Sequence, residues 1–144
     1  MYDINTSRIE EVLTHMERML QVLRQLTQGQ GDGQLEDPTE ILAMERALHL
    51  CIEAIADVGN AMIDGFIMRD PGSYTDIVEI LRDEQVITDE QAAQLTAVVA
   101  FRKQLVNEYT QVPAAEMGQL AKQSLDVLEQ FAPAVRSYIQ KELF

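Results

Sequence analysis

Tryptophan is absent from this chain of 144 residues, cysteine occurs once, and there are only four prolines and seven glycines. The lone thiol, Cys51, has no partner for an internal disulfide, so the fold must rest on its core and suits a reducing compartment. No apolar run reaches the roughly 18 residues needed to span a bilayer, and the N-terminus has no basic-then-apolar leader, which points to a cytoplasmic protein with no membrane contact. Cations are scarce too: 24 acidic side chains face 11 basic ones, a net charge of −13. Such a field repels nucleic acid at long range, because phosphate binding needs Lys and Arg to displace counterions. A broad basic groove is therefore excluded, leaving room only for a small local site of the Arg102–Lys103 kind. Also missing are a Gly-rich phosphate loop, Cys/His metal spacing and a Gly-x-Ser-x-Gly elbow, so nothing asks for a cofactor or a metal. No stretch alternates as a strand does, and no repeat recurs.

What remains is a helix-forming composition with 47% hydrophobic residues, enough for one domain, 1–144, to bury a substantial core. Ile9, Val12, Leu13, Met16, Leu20, Leu23 and Leu26 fall at helical spacing, which predicts a first amphipathic helix from about Thr6 to Gln28. The Gly-rich stretch Gly29-Gln-Gly-Asp-Gly33 should end it. Asp37-Pro38 opens a second helix, with Asp as N-cap, Pro at the first helical position and Glu40 in the first turn. That long, apolar helix is expected to reach about Met68. After the turn Asp70-Pro-Gly-Ser-Tyr74 comes a short helix, about Thr75 to Asp83. Thr88-Asp-Glu-Gln91 reads as a capping box opening a fourth helix that carries Arg102. Val112-Pro113 interrupts it, and Ala114–Leu143 reads as helix, kinked or broken at Pro133. The expected architecture is an all-α, compact antiparallel helical bundle with a long second helix.

Two constellations stand out. On the second helix His49, Glu53, Asp57, Asn60 and Asp64 are spaced 4, 4, 3 and 4 apart, an arc of roughly 80°. This polar stripe is a solvated face, a partner-facing surface or a carboxylate metal site, although the Glu-x-x-His pairs of metal-carboxylate bundles are missing. His15 reads as surface. The other constellation is Phe101-Arg-Lys-Gln-Leu-Val-Asn107-Glu-Tyr109. In a straight helix Arg102 and Tyr109 lie roughly 20° apart, whereas Arg102 and Asn107 are separated by roughly 140°. For Arg102 and Asn107 to serve one site, the helix must end or distort there, or two copies must meet across a symmetry axis. The plainer alternative is an arginine paired with a second-helix carboxylate such as Asp57 or Asp64.

Arg102-Lys-Gln-Leu-Val-Asn107-Glu-Tyr109 resembles the Arg-x4-His-x-Tyr signature of HepT-like proteins in the HEPN superfamily. Gly59-Asn-Ala-Met-Ile-Asp64, Pro71-Gly-Ser-Tyr74-Thr-Asp-Ile77 and the passage from Leu81 to Val86-Ile-Thr88 match in the same order. The run from Asp64 to Tyr74 looks nearest to the YutE-like branch of Bacillus-type bacteria. The resemblance implies a HEPN-like bundle that pairs as a homodimer with both signature helices on one cleft. It implies a metal-independent endoribonuclease toxin, paired with a minimal nucleotidyltransferase antitoxin and acting on RNA. Arg102 would then hold the scissile phosphate, and Tyr109 would be the tyrosine that the partner can modify with AMP. Asn107 stands where the family has its histidine, and an amide cannot exchange a proton near neutral pH. Weak activity follows from that, or, alternatively, a catalytically degenerate HEPN dimer acting as a binding or regulatory module. A helical protein with no site at all is the blandest reading.

Overall fold

The computed structural model describes residues 2–28 and 35–144. The Gly-rich run expected to end the first helix lies outside them. Helix α1 (Thr6–Gln28) buries Ile9, Leu13, Met16 and Leu23 along one stripe. That stripe packs on α2 (Pro38–Gly65), which is opened by Asp37, whose side chain accepts from the Thr39 N–H at 2.8 Å. Helix α2 ends at Gly65, three residues short of the expected Met68. Phe66 donates its N–H back to Met62, and Ile67 then takes a left-handed φ of 57°, which turns the chain out of the helix.

Helix α3 (Tyr74–Asp83) starts at a Ser73 cap, and α4 (Asp89–Ala100) at the Thr88–Gln91 capping box, where both reciprocal bonds form. Arg102 does not lie on α4, as the periodicity suggested. Phe101 closes that helix with its N–H on Val98, a tightened i−3 bond, and a separate short helix, α5 (Arg102–Val106), follows. The chain then makes a 3-10 turn at Tyr109–Gln111, and Pro113 holds the preceding Val112 extended (φ −66°, ψ 124°) before α6 (Ala114–Leu143). Helix α6 is not broken at Pro133. That proline sits on the exposed face, where water can take the carbonyl its missing N–H leaves free.

Every regular element among the described residues is helical. Helix α2 is the central one, packing against α1, α3, α5 and α6. Its apolar flank (Leu48, Cys51, Ile52, Ile55, Met62) is fully buried. Ion pairs tie α6 to α1: Arg136 bridges Glu10 and Glu17, and Arg24 grips Glu129. Each is partly exposed and screened by water, so the core supplies the stability and the pairs help set the register of α1 on α6. With its apolar flank covered, α2 keeps one polar side free, and α3 and α5 approach that side from either end.

Candidate functional site

Helix α3 is held beside α2 by its own loop. Arg69 donates from Nη1 and Nη2 to the two carboxylate oxygens of Asp76, both at 2.9 Å, and the Gly72 N–H adds a 2.8 Å bond to Oδ2. That double grip, with the backbone bond, pulls the Asp76 carboxyl down to about 2. It sets the direction of α3, and so places Tyr74, its first residue, against α2. Gly59 of α2 faces Ile77 at the crossing, where a Cβ would collide with the Ile77 γ-methyl group. The absence of a side chain there lets the two helices approach closely.

From the other end, Phe101 and Leu105 insert into the core and turn the intervening Arg102 towards α2. Its Nε donates to Glu53 Oε1 at 2.8 Å, and the Tyr74 hydroxyl donates to Glu53 Oε2 at 3.1 Å. The guanidinium also lies 4.2 Å from the Tyr74 ring centroid, a cation–π stack. His49, one helical turn before Glu53, places Nε2 3.3 Å from the same Oε1. A cation, an imidazole and a phenol thus converge on one carboxylate.

Partial burial pushes the Glu53 carboxyl up, but the hydrogen bonds from Arg102 and Tyr74, with the charges of Arg102 and His49, bring it below its usual range. Glu53 therefore stays ionised. Arg102 is raised in return, chiefly by its bond to Glu53, and Tyr74 is raised by burial and by the carboxylate beside it. Among the described residues Arg102 hydrogen-bonds only through Nε, so both terminal nitrogens remain able to meet an anion.

The partner of Arg102 is a second-helix carboxylate, as the plain alternative held, but it is Glu53 rather than Asp57 or Asp64. Those two and Asn60 are exposed, so only the His49–Glu53 end of the polar stripe enters the cluster. Asn107 caps α5 from the solvent side. The end of α5 also separates Tyr109 from Arg102: it lies on the 3-10 turn, 70% exposed, and the phenol beside Arg102 is Tyr74. The signal for Glu53 was its place in the stripe. Nothing in helical spacing marked Tyr74, because its approach depends on the α2–α3 loop. His15 is exposed, as expected, and lines a groove of about 630 Å³ between α1 and α2 that ends at Glu53 and Asp57. Among the described residues no three His, Cys, Asp or Glu side chains form a group that could hold a metal ion, and no helix is long and apolar enough to cross a membrane.

The family model described as "Ribonuclease HepT-like" matches residues 16–135. A Bacillus subtilis (strain 168) protein named "Putative RNase YutE" is 42% identical over 145 residues, covering 99% of this chain and 95% of its own. The solved structure of YutE from Bacillus subtilis, described as a cytosolic protein of unknown function, superposes with a TM-score of 0.88 at 41% identity, covering 99% of this chain and 96% of that one. A Shewanella oneidensis HEPN toxin, tri-AMPylated and in complex with its MNT antitoxin, shares the fold at a TM-score of 0.78 and 22% identity, covering 90% of this chain and 96% of that one. The chain belongs to the HepT-like family and is similar over nearly its whole length to YutE.

Proposed function

We propose that this protein is a slow, metal-independent endoribonuclease, acting as a homodimer and held in check by a nucleotidyltransferase antitoxin. The observation that carries the reading is Arg102: a guanidinium fixed through Nε on Glu53 and over Tyr74, with both terminal nitrogens left for phosphate oxygens. A cation held in place before substrate arrives stabilises developing charge on a phosphodiester without reorganising. The net charge of −13 restricts RNA to such a local grip.

Two further features favour the dimer and the partner. Leu42, 64% exposed, borders a hollow of about 220 Å³ shared with His49 and Leu105, an apolar margin suited to a second copy of the chain. The exposed Tyr109 is accessible to a modifying enzyme, and the tri-AMPylated Shewanella oneidensis toxin was solved in complex with an MNT antitoxin. Asn107 at the signature histidine position supports a second reading, a dimer that binds without cutting.

Labelled RNA incubated with purified protein and chelator separates the two readings. The nuclease reading expects slow cleavage that disappears in Arg102→Ala and accelerates by roughly 10²-fold in Asn107→His, since general acid–base catalysis is typically worth 10²–10⁴. No cleavage even at high protein concentration, with RNA still bound, establishes the binding module instead.

A further inference from the structure

A ribonuclease site without its signature histidine needs another group to move a proton. Asn107 cannot, and Glu53 is occupied on both oxygens by Arg102 and Tyr74. Tyr74 is raised by its surroundings and donates its hydroxyl to that carboxylate, so it is a poor base. His49 remains. Its Nε2 stands 3.3 Å from Glu53 Oε1, the oxygen that also accepts from Arg102 Nε at 2.8 Å. The imidazole and the guanidinium therefore share one oxygen.

We propose that His49, whose ring lies against the Glu53 carboxylate, is the proton-transfer residue of this site. The proposal rests on the nuclease reading above. One ring nitrogen faces the carboxylate and the other is left to exchange a proton, the arrangement in which an acidic residue orients and supports a catalytic imidazole. His49 also lines the hollow shared with Leu42, Glu45, Arg46 and Leu105. Arg46 has no ion pair among the described residues and supplies a second cation for a neighbouring phosphate.

The reaction balances without any co-reactant. The 2′-hydroxyl proton passes to the imidazole, the 2′-oxygen bonds to phosphorus, and the bond from phosphorus to the 5′-oxygen breaks. The departing oxygen recovers a proton from the imidazolium, leaving a 2′,3′-cyclic phosphate and a 5′-hydroxyl. Arg102 neutralises the charge gathered on the non-bridging oxygens.

The test uses the full chain, a labelled RNA oligonucleotide and His49→Gln, with His49→Asn as a second variant and circular dichroism to confirm that each is folded. Cleavage should fall 10²–10⁴-fold while RNA affinity stays within about threefold. The limb of the pH–rate profile that reports an ionising imidazole should vanish. Glu53 lies beside that ring, Glu45 and Arg46 share its hollow, Tyr74 and Arg102 meet it through Glu53, and all of them remain in the variant. Folded variants that cleave within threefold of wild type, while Arg102→Ala is inactive, overturn the role of His49 and leave the nuclease reading standing. Slower cleavage with an unchanged profile shape also overturns it, since a merely structural histidine behaves that way. Absence of cleavage by the wild-type protein removes the nuclease reading and this inference with it. A 2′-deoxy substitution at the scissile position should abolish cleavage, and retained cleavage contradicts the proposed attack.

Discussion

Arg102 and Tyr74 stack with the guanidinium 4.2 Å from the ring centroid, and each donates to a different oxygen of Glu53. Helices α5 and α3, distant in sequence, are thereby joined through one α2 carboxylate. Glu53→Ala leaves two donors, one of them a cation, without their acceptor in a half-buried place. The expected loss is about 1 kcal/mol, after allowing for water that can reach the site. A chain of this size then melts roughly 3 °C lower, as calorimetry can check. Tyr74→Phe keeps the ring under Arg102 and loses only the hydroxyl bond, so it should cost less than Glu53→Ala.

The close approach of α2 and α3 depends on Gly59. Gly59→Ala gains about 1 kcal/mol of helix propensity but drives a methyl group into the Ile77 γ-methyl group, a β-branched position that cannot swing aside. Overpacking costs about 1–3 kcal/mol, so the net change is destabilising. Denaturant unfolding measures it, and a more stable variant contradicts the packing described.

Cys51 is fully buried, and burial pushes its thiol up to about 12. The thiolate is the reactive form, so Cys51 should resist alkylation at neutral pH in the native protein and react once the chain is unfolded in denaturant. Rapid labelling under native conditions would contradict its placement on the buried flank of α2.

Acid should loosen the α2–α3 loop. Asp76 is held down to about 2 in the folded chain, from an ordinary value of 3.8. Its folded value lies below the unfolded one, so its contribution is present above the unfolded value and is lost as pH falls through the folded one. Glu53 and Glu10 are shifted in the same direction, by partners that outweigh the opposing effect of burial. Thermal midpoints should therefore fall between about pH 4 and pH 2. Asp76→Asn should flatten the part of that fall that belongs to the loop.

Leu42 tests the assembly. If its exposed side chain packs against a second copy, Leu42→Asp should shift the protein from dimer to monomer in light scattering while its helical signal is unchanged. A wild-type monomer at micromolar concentration contradicts the proposed dimer.

The helices were largely legible in the sequence because their signals are local. Asp37-Pro38, the Thr88–Gln91 box and the apolar stripe from Ile9 to Leu23 each mark structure within a turn or two of themselves. The break at Phe101 was not legible. Phe101 and Leu105 are four residues apart and fit a continuous helix equally well, and only packing on α2 shows that the chain restarts there. Arg102 was visible through its motif, and its pairing with an α2 carboxylate was foreseen as a type without the right residue. Glu53 and Tyr74 are 21 positions apart, and their bond depends on a loop geometry that no periodicity encodes.

The most direct measurement is single-turnover cleavage of one labelled RNA, with chelator present, by wild-type protein and by Arg102→Ala. A guanidinium that stabilises the transferring phosphate predicts a rate at least 10²-fold lower in the variant, in line with the loss of one preorganised charge-stabilising group. Equal rates in the two proteins, or no cleavage by the wild type at any concentration, would contradict the account.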